Sequence, residues 1–330
     1  MGLTVAVTGP TGEIGISAVD ALEQSVDVER IVGMARRPFE PAARGWTKTE
    51  YRQGDILDRD AVDRLVADAD VVVHLAYLIM GSRDESRRIN LAGTRNVFEA
   101  TVAAERARRL VYTSSVAAYG YHADNPVPIT EDVAPRGSSE HYYSEQKAEC
   151  EALLAEVTGG ADLEVYVLRP CIVAGPKATA LADSMPWRQA GDKLPDLLRK
   201  AIGAIPVLKP VLPDPGVPVQ LVHHDDVAQA IALAATGSGP PGPYNLAADG
   251  TVSITDIARS LDAIAVPVPH ASAVALSVAL ARLPRVPAAA EWLHTMRTPV
   301  VMDNTRAKRD LGWRPEYDAK QTLHAMAAAV

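Results

Sequence analysis

The sequence predicts an α/β protein built on a doubly wound parallel sheet, and three observations carry that prediction. Short Val/Ile-rich runs alternate with helical patterns through the first half of the chain. A glycine-spaced turn, TGPTGEIG, follows the first of those runs directly. The 330 residues, 48% hydrophobic and 22% charged, supply enough core for one large domain or two closely joined lobes. Short apolar strands separated by helices are the pattern of βαβ units, whose crossovers bury both faces of a parallel sheet.

In order, LTVAVTG reads as a buried strand, residues 12–24 as a helix and RIVGMA as a second strand. GDILDRDAVDRLVADAD holds a loop and a helix, and VVVHLA is the next strand. A long helix over 84–107 leads to the strand RLVYTSS. The helix HYYSEQKAECEALLAEV and the strand LEVYVLRP follow. Beyond Pro176 the composition shifts to Pro and Leu, with a helix expected near 193–204 and a loop at 211–218. VQLVHHDDVAQAIALAA and GPYNLA return to strand, helix and strand, and 249–330 reads as mostly helical. The expected division is a nucleotide-binding domain, 1–176 with 219–248, and a smaller, mostly helical substrate lobe, 177–218 with 249–330.

Composition narrows the partners. A net charge of −8 with no Lys/Arg block argues against nucleic acid. Cys150 and Cys171 make no disulfide framework and suit a reducing cytoplasm, the expected location. MGLTVAVTGP lacks the charged start of an export signal. The most apolar stretch, 271–284, is too short to span a bilayer and contains Arg282, so a buried or pocket-lining helix is expected there.

Gly9, Gly12 and Gly15 stand between a strand and a helix. Glycines there permit a tight turn, let the backbone approach a pyrophosphate and bring the helix N-terminus onto the anion. The alternative is a turn without a ligand. Thr11, Glu13 and Ile14 share the loop and its first helical turn. An NAD site places an acid about 20 residues on, at the end of the second strand. Here Ala35 takes that place, followed by Arg36 and Arg37, whose guanidinium forks suit a 2′-phosphate. NADP(H) is therefore expected, with Arg36 ahead of Arg37, and NAD is the alternative. Asp55 and Ile56 are candidates to flank adenine. Leu75 and Ala76 should pass the middle of the cofactor, and His74 reads as a packed strand-end histidine.

Tyr143 and Lys147 share a helix face at i,i+4, either as an ordinary surface contact or as a proton-transfer pair. A phenol near pKa 10 is a poor base at neutral pH, and a neighbouring ammonium would lower that value. Tyr142 points elsewhere, about 100° round the helix. In HHDD, 223–226, adjacent residues rarely converge on one ion and Asp225 or Asp226 suits a helix N-cap, so no metal is expected. Cys171 follows a strand end without a paired base and reads as packing or pocket lining.

TGPTGEIG, GDILD, HLA, INLAGTRNVFEA, VYTSSVAAYG, YSEQK, LRPCIVAGP, VQLVHHDDVAQAI, YNLA and DLGWRPEYD occur in one order along the chain. With them the sequence resembles the extended short-chain dehydrogenase/reductase family, also called the NAD-dependent epimerase/dehydratase family. The resemblance implies a Rossmann fold and a catalytic set of Ser115, Tyr143 and Lys147. Ser115 would bind the substrate oxygen, Tyr143 would exchange a proton with it and Lys147 would hold the nicotinamide ribose. Thr113, Ser114 and Pro170 would also face the cofactor, and Tyr121, Cys171 and Ile172 the substrate. It further suggests a homodimer through the helices at 84–107 and 140–158.

Within that family, dehydratases resemble one another in an Asp-Glu pair after the hydroxyl residue, where this chain has Val116 and Ala117. Sugar-nucleotide members usually carry Asn and Tyr where this chain has Ile172 and Ala174. Lys177, Arg188, Lys193, Arg199 and Lys200 form no recognisable phosphate site. The expected activity is thus NADP(H)-dependent reduction of a ketone or aldehyde of modest polarity, or oxidation of the alcohol. The alternatives are a sugar-nucleotide epimerase or dehydratase and a non-catalytic NADP-binding redox sensor.

Overall fold

The computed structural model describes residues 2–79, 82–183, 209–269 and 298–330. Seven parallel strands form its central sheet: β1 (Leu3–Thr8), β2 (Val28–Ala35), β3 (Thr49–Gln53), β4 (Val71–His74), β5 (Arg109–Thr113), β6 (Glu164–Pro170) and β10 (Gly242–Leu246). Their spatial order is β10-β6-β5-β4-β1-β2-β3. The chain winds outward from β1 in one direction, returns, and winds outward from β4 in the other. The switch point between β1 and β4 opens a crevice at the carboxyl ends of the strands.

Period-two alternation distributes the core. Val5 and Val7 face helix α1 (Glu13–Gln24) and helix α7 (His224–Thr236), packing with Val19, Leu22, Val227 and Ile231. Ala6, between them, faces the opposite layer. That layer holds α2 (Arg59–Val66), α4 (Thr94–Ala103) and α5 (Tyr142–Thr158), with Leu65, Phe98 and Leu154 in its core. Apolar runs on both sides of each strand make the central strands nearly free of polar residues.

The helix expected at 84–107 is broken. It consists of α3 (Arg83–Arg87), a π-helical turn (Arg88–Gly93) and α4, and it stops at Ala103. Ala104 is extended, and Arg108 donates its N–H to the Asp70 carbonyl, which draws the chain into the sheet. The loop expected at 211–218 contains a strand, β8 (Val211–Asp214), paired in parallel with β11 (Ile264–Pro267). Prolines at 213 and 215 hid it, and a two-stranded ribbon consists entirely of edges, where proline is tolerated. A second ribbon pairs β7 (Ile172–Ala174) with β9 (Leu221–His223).

Helices α6 (Ala180–Asp183), α8 (Ile254–Ser260) and α10 (Ala319–Ala327) gather with these ribbons around Leu181, Leu212, Leu221, Ile257, Leu323 and Met326. Helix α9 (Thr305–Asp310) belongs elsewhere: Met302, Ala307, Leu311 and Trp313 join the core beneath β1. The Trp313 indole donates to the Asp226 carbonyl (2.8 Å), and the Asp226 carboxylate accepts the N–H groups of Glu316 (2.7 Å) and Tyr317 (3.3 Å). Asp226 is therefore a staple rather than a cap. The N-cap of α7 is His223, whose Nδ1 accepts the Asp225 N–H at 3.2 Å. Gly312, at φ +72°, turns the chain after α9. The helix expected near 193–204, the apolar stretch 271–284, and Arg188, Lys193, Arg199 and Lys200 lie outside the described residues.

Candidate active site

The first glycine turn leaves a helix end open to an anion. Gly9 has φ +75°, and a Cβ there would stand 2.8 Å from the Ala76 nitrogen. A Cβ on Gly15 would stand 2.1 Å from the Gly9 carbonyl oxygen, so only glycine lets α1 start this close to the turn. Gly12 is the N-cap of α1 and no side chain caps that end. Its uncapped N–H groups fit a pyrophosphate. The Glu13 carboxyl accepts the N–H groups of Thr179 and Ala180 and is held above its usual value, by burial first. Thr11 and Ile14 flank the turn.

The adenosine end is equally defined. Arg36 and Arg37 are exposed just past β2, and neither makes an ion pair among the described residues. Their backbone carbonyls are held by Gln53 and Tyr51. Asp55 accepts the Leu57 N–H at 3.0 Å, and Asn96 holds the Ile56 carbonyl at 2.9 Å. Buried Ile56 packs where Gly93 lacks a side chain; a Cβ there would lie 2.5 Å from it. Leu75 and Ala76 donate their N–H groups to the Thr8 carbonyl (3.1 Å) and hydroxyl (3.3 Å). His74 bonds the hydroxyls of Thr8 (2.7 Å) and Thr94 (3.0 Å), and burial, with Lys147 adding to it, pushes it down to about 3. It is neutral packing, as its sequence setting suggests.

Ser115, Tyr143 and Lys147 meet at the carboxyl end of β5. Ser115 caps a short 3₁₀ turn (Val116–Tyr119) through the Ala117 N–H at 3.2 Å, and its hydroxyl lies beside the Tyr143 phenol. Lys147, 3% exposed, donates to the Thr113 carbonyl at 3.0 Å. The Thr113 hydroxyl is buried and, among the described residues, without a partner. An orphan donor at the crevice, beside the open helix end, is the second feature that fits a dinucleotide there. Burial pushes the Lys147 ammonium down to about 8. The Tyr143 phenol is pushed up by burial, opposed by the neighbouring Ser115 hydroxyl. The expected net lowering is not found: burial dominates, and Lys147 donates to the Thr113 carbonyl with its Nζ 5.9 Å from the Tyr143 ring centre.

Sequence reasoning missed the supports of this trio. Ser114 donates to Glu151 at 2.6 Å, and Glu151 takes the Arg169 guanidinium through both carboxylate oxygens at 3.0 and 2.6 Å. Arg169 continues to the Tyr119 hydroxyl (2.8 Å), which donates to Asn245 (2.7 Å). The only sequence signal was position: Glu151 lies four residues past Lys147, and Arg169 precedes Pro170. Pro170 ends β6 opposite Leu246. Tyr121 packs edge-on against His141 at 5.5 Å. Buried Cys171 donates its N–H to Leu246 (2.9 Å), and burial pushes its thiol up. Ile172 is half-buried in β7.

His223, His224 and Asp225 do converge, their ligand atoms all lying within 4.8 Å of one another. Three of the four ring nitrogens are already engaged: His224 Nε2 accepts the Lys177 N–H (3.2 Å), His224 Nδ1 meets Ser17 (2.9 Å) and Asp225 (2.9 Å), and His223 Nδ1 serves the cap. They hold the Gly175–Lys177 turn against α1 and α7.

A model of the NAD dependent epimerase/dehydratase family matches residues 5–247. The chain belongs to this family. Among curated proteins, uncharacterized protein Rv0501 of Mycobacterium tuberculosis is 24% identical over 321 residues, covering 95% of this chain and 80% of its own length. Among solved structures, UDP-glucuronic acid 4-epimerase from Bacillus cereus in complex with NAD is similar at TM-score 0.72 and 18% identity, over 99% of this chain and 98% of that one. UDP-glucose 4-epimerase from Thermotoga maritima with UDP-glucose gives TM-score 0.70 and 18% identity over the same shares. These likenesses establish a fold common to nicotinamide-dependent enzymes of the family. Among the described residues, no helix is long and apolar enough to cross a membrane.

Proposed function

We propose that this family member is an enzyme that oxidises and re-reduces one carbinol carbon of a sugar nucleotide, as an epimerase, using Ser115, Tyr143 and Lys147. The observation that carries the reading is the convergence of these three side chains beside the open end of α1. A bound nicotinamide supplies the hydride acceptor and donor. Ser115 Oγ holds the substrate oxygen, and Tyr143 Oη takes its proton and later returns one. Lys147, kept protonated, stabilises the phenolate while that proton is away and binds the ribose hydroxyls. Buried Thr113 offers its hydroxyl to the cofactor. The family neighbours named for UDP-glucuronic acid and UDP-glucose support the substrate class. Val116 and Ala117 offer no carboxylate pair for water elimination, which favours epimerase over dehydratase.

A second reading keeps the same machinery for net NADP(H)-dependent reduction of a modestly polar ketone or aldehyde. Apolar Ile172 and Ala174 favour it, as do Arg36 and Arg37, which stand without ion-pair partners where a 2′-phosphate would bind. In both readings residues 1–176 with 219–248 hold the nucleotide, and 177–218 with 249–330 supply substrate contacts. A homodimer would form on the face of α3, α4 and α5, which carries the intramolecular pairs Arg83–Glu145, Arg87–Glu149 and Arg95–Glu156.

Incubation of the full chain with UDP-glucose or UDP-glucuronic acid tests the first reading: epimer should accumulate without net change in reduced nicotinamide. Steady NADPH consumption with ketones or aldehydes, and no epimer, selects the second. Tight cofactor binding with neither reaction contradicts both.

A further inference from the structure

The Lys147 ammonium is almost fully buried, yet among the described residues it makes a single hydrogen bond, to the Thr113 carbonyl. An ammonium has three donors, and burying one without compensation is costly. Glu151, one turn further along α5, is committed to Arg169. What surrounds the charge instead is aromatic. Its Nζ lies 3.7 Å from the centre of the Tyr77 ring, 5.3 Å from that of Tyr112 and 5.9 Å from that of Tyr143. Tyr77 also packs edge-on against Tyr143, with ring centres 5.5 Å apart and planes at 84°.

Tyr77 is held rigidly in that position. Asn90, in the π-helical turn, accepts the Leu78 N–H (2.8 Å) and donates to the Leu78 carbonyl (3.0 Å). It is itself tied to Gln146 of α5 at 2.9 Å. Tyr142 bonds the Ile79 carbonyl at 3.0 Å. The segment after β4 is thus fastened to the helix that carries Tyr143 and Lys147. Among the described residues the Tyr77 hydroxyl is buried without a partner in bonding geometry. The ring, and not the hydroxyl, makes the contact.

We propose that Tyr77 is a positioning residue for the proton-transfer pair: with Tyr112 and Tyr143 it forms an aromatic cage that keeps Lys147 an ammonium where no carboxylate among the described residues pairs with it. The ring quadrupole attracts a desolvated cation most strongly over its face, which is where Nζ sits. The other ionisable groups facing the site are His74 from β4, Tyr112 from β5, and Tyr143, Cys150 and Glu151 from α5. His74 is neutral above about pH 3 and Cys150 is held as a thiol by burial, so near neutrality the cage and the more distant Glu151 charge oppose the effect of burial on Lys147. The inference rests on reading Tyr143 and Lys147 as that pair.

The test is a pH titration of the Lys147 Cε resonance in the full chain, assigned with Lys147→Arg, without substrate or cofactor. A failure of turnover and a failure of the cage are therefore seen separately. Tyr77→Phe should leave the midpoint in place. Tyr77→Leu should lower it by about one pH unit, the size expected for a desolvated cation–π contact. Should Tyr77→Leu not fold, phenylalanines of increasing fluorination at position 77 preserve the volume and weaken the quadrupole. The midpoint should then fall stepwise. An unchanged midpoint in Tyr77→Leu or across the fluorinated series overturns the proposal. So does a Tyr77→Phe shift as large as that of Tyr77→Leu, which would place the effect in the hydroxyl.

Discussion

Tyr143 and Lys147 share one face of α5 but are not hydrogen-bonded: Lys147 Nζ stands 5.9 Å from the Tyr143 ring centre and donates to the Thr113 carbonyl. Ser115, not lysine, is the side chain that opposes the effect of burial on the phenol. The lysine therefore acts on the tyrosine through space and through whatever bridges them, which is why its own charge state matters.

Gly12 and Gly15 should separate binding from folding. A Cβ on Gly12 meets no atom closer than 3.5 Å, and its φ of −79° suits any residue. Gly12→Ala should leave the urea midpoint in place while weakening cofactor binding, because the new methyl stands at the anion's approach. Gly15→Ala drives a methyl into the Gly9 carbonyl and should cost about 3 kcal/mol of stability as well.

On the NADP(H) reading, Arg36→Ala should lower the ratio of NADPH to NADH affinity about 10- to 100-fold, the worth of a charge-assisted hydrogen bond. Titration of both cofactors against the same protein measures it. An unchanged ratio removes Arg36 from the 2′-phosphate site.

Glu151→Gln leaves the Arg169 guanidinium buried without its counter-charge; the side chains of the pair are 5% and 8% exposed. Loss of one partner of such a pair costs about 3–5 kcal/mol. Urea unfolding should show it, while the Gln amide oxygen can still accept from Ser114.

Stability should fall in mild acid through His74. Its pKa is pushed down to about 3 by burial, and an unfolded histidine titrates near 6.5. Below about pH 6.5 the unfolded chain takes up a proton that the native site refuses. The histidine then costs about 1.4 kcal/mol of stability per pH unit until about pH 3. His74→Gln should remove that part of the slope in denaturation curves compared across pH.

Much of the fold was legible because its strands are apolar on both faces and its helices have the longer period. Gly9, Gly12 and Gly15 sat between such elements, and TSS and YSEQK at strand end and helix start. What stayed hidden depends on contacts between distant segments. β8 was masked by its prolines until its pairing with β11 was seen, and nothing in HHDD told that His223 would cap while Asp226 reached Glu316 and Tyr317. Tyr77 is a single aromatic one residue beyond the predicted cofactor edge, and only the folded chain brings it over Lys147. The direction of the Tyr143 shift depended on burial, which spacing along a helix does not report.

The most direct measurement is transfer of deuterium from a labelled UDP-sugar or alcohol carbon to the bound nicotinamide, in the wild type and in Tyr143→Phe. The account predicts label on the nicotinamide in the wild type. It predicts transfer slower by about 10²–10⁴-fold in the variant, with cofactor affinity retained. Transfer at the wild-type rate by Tyr143→Phe would contradict it.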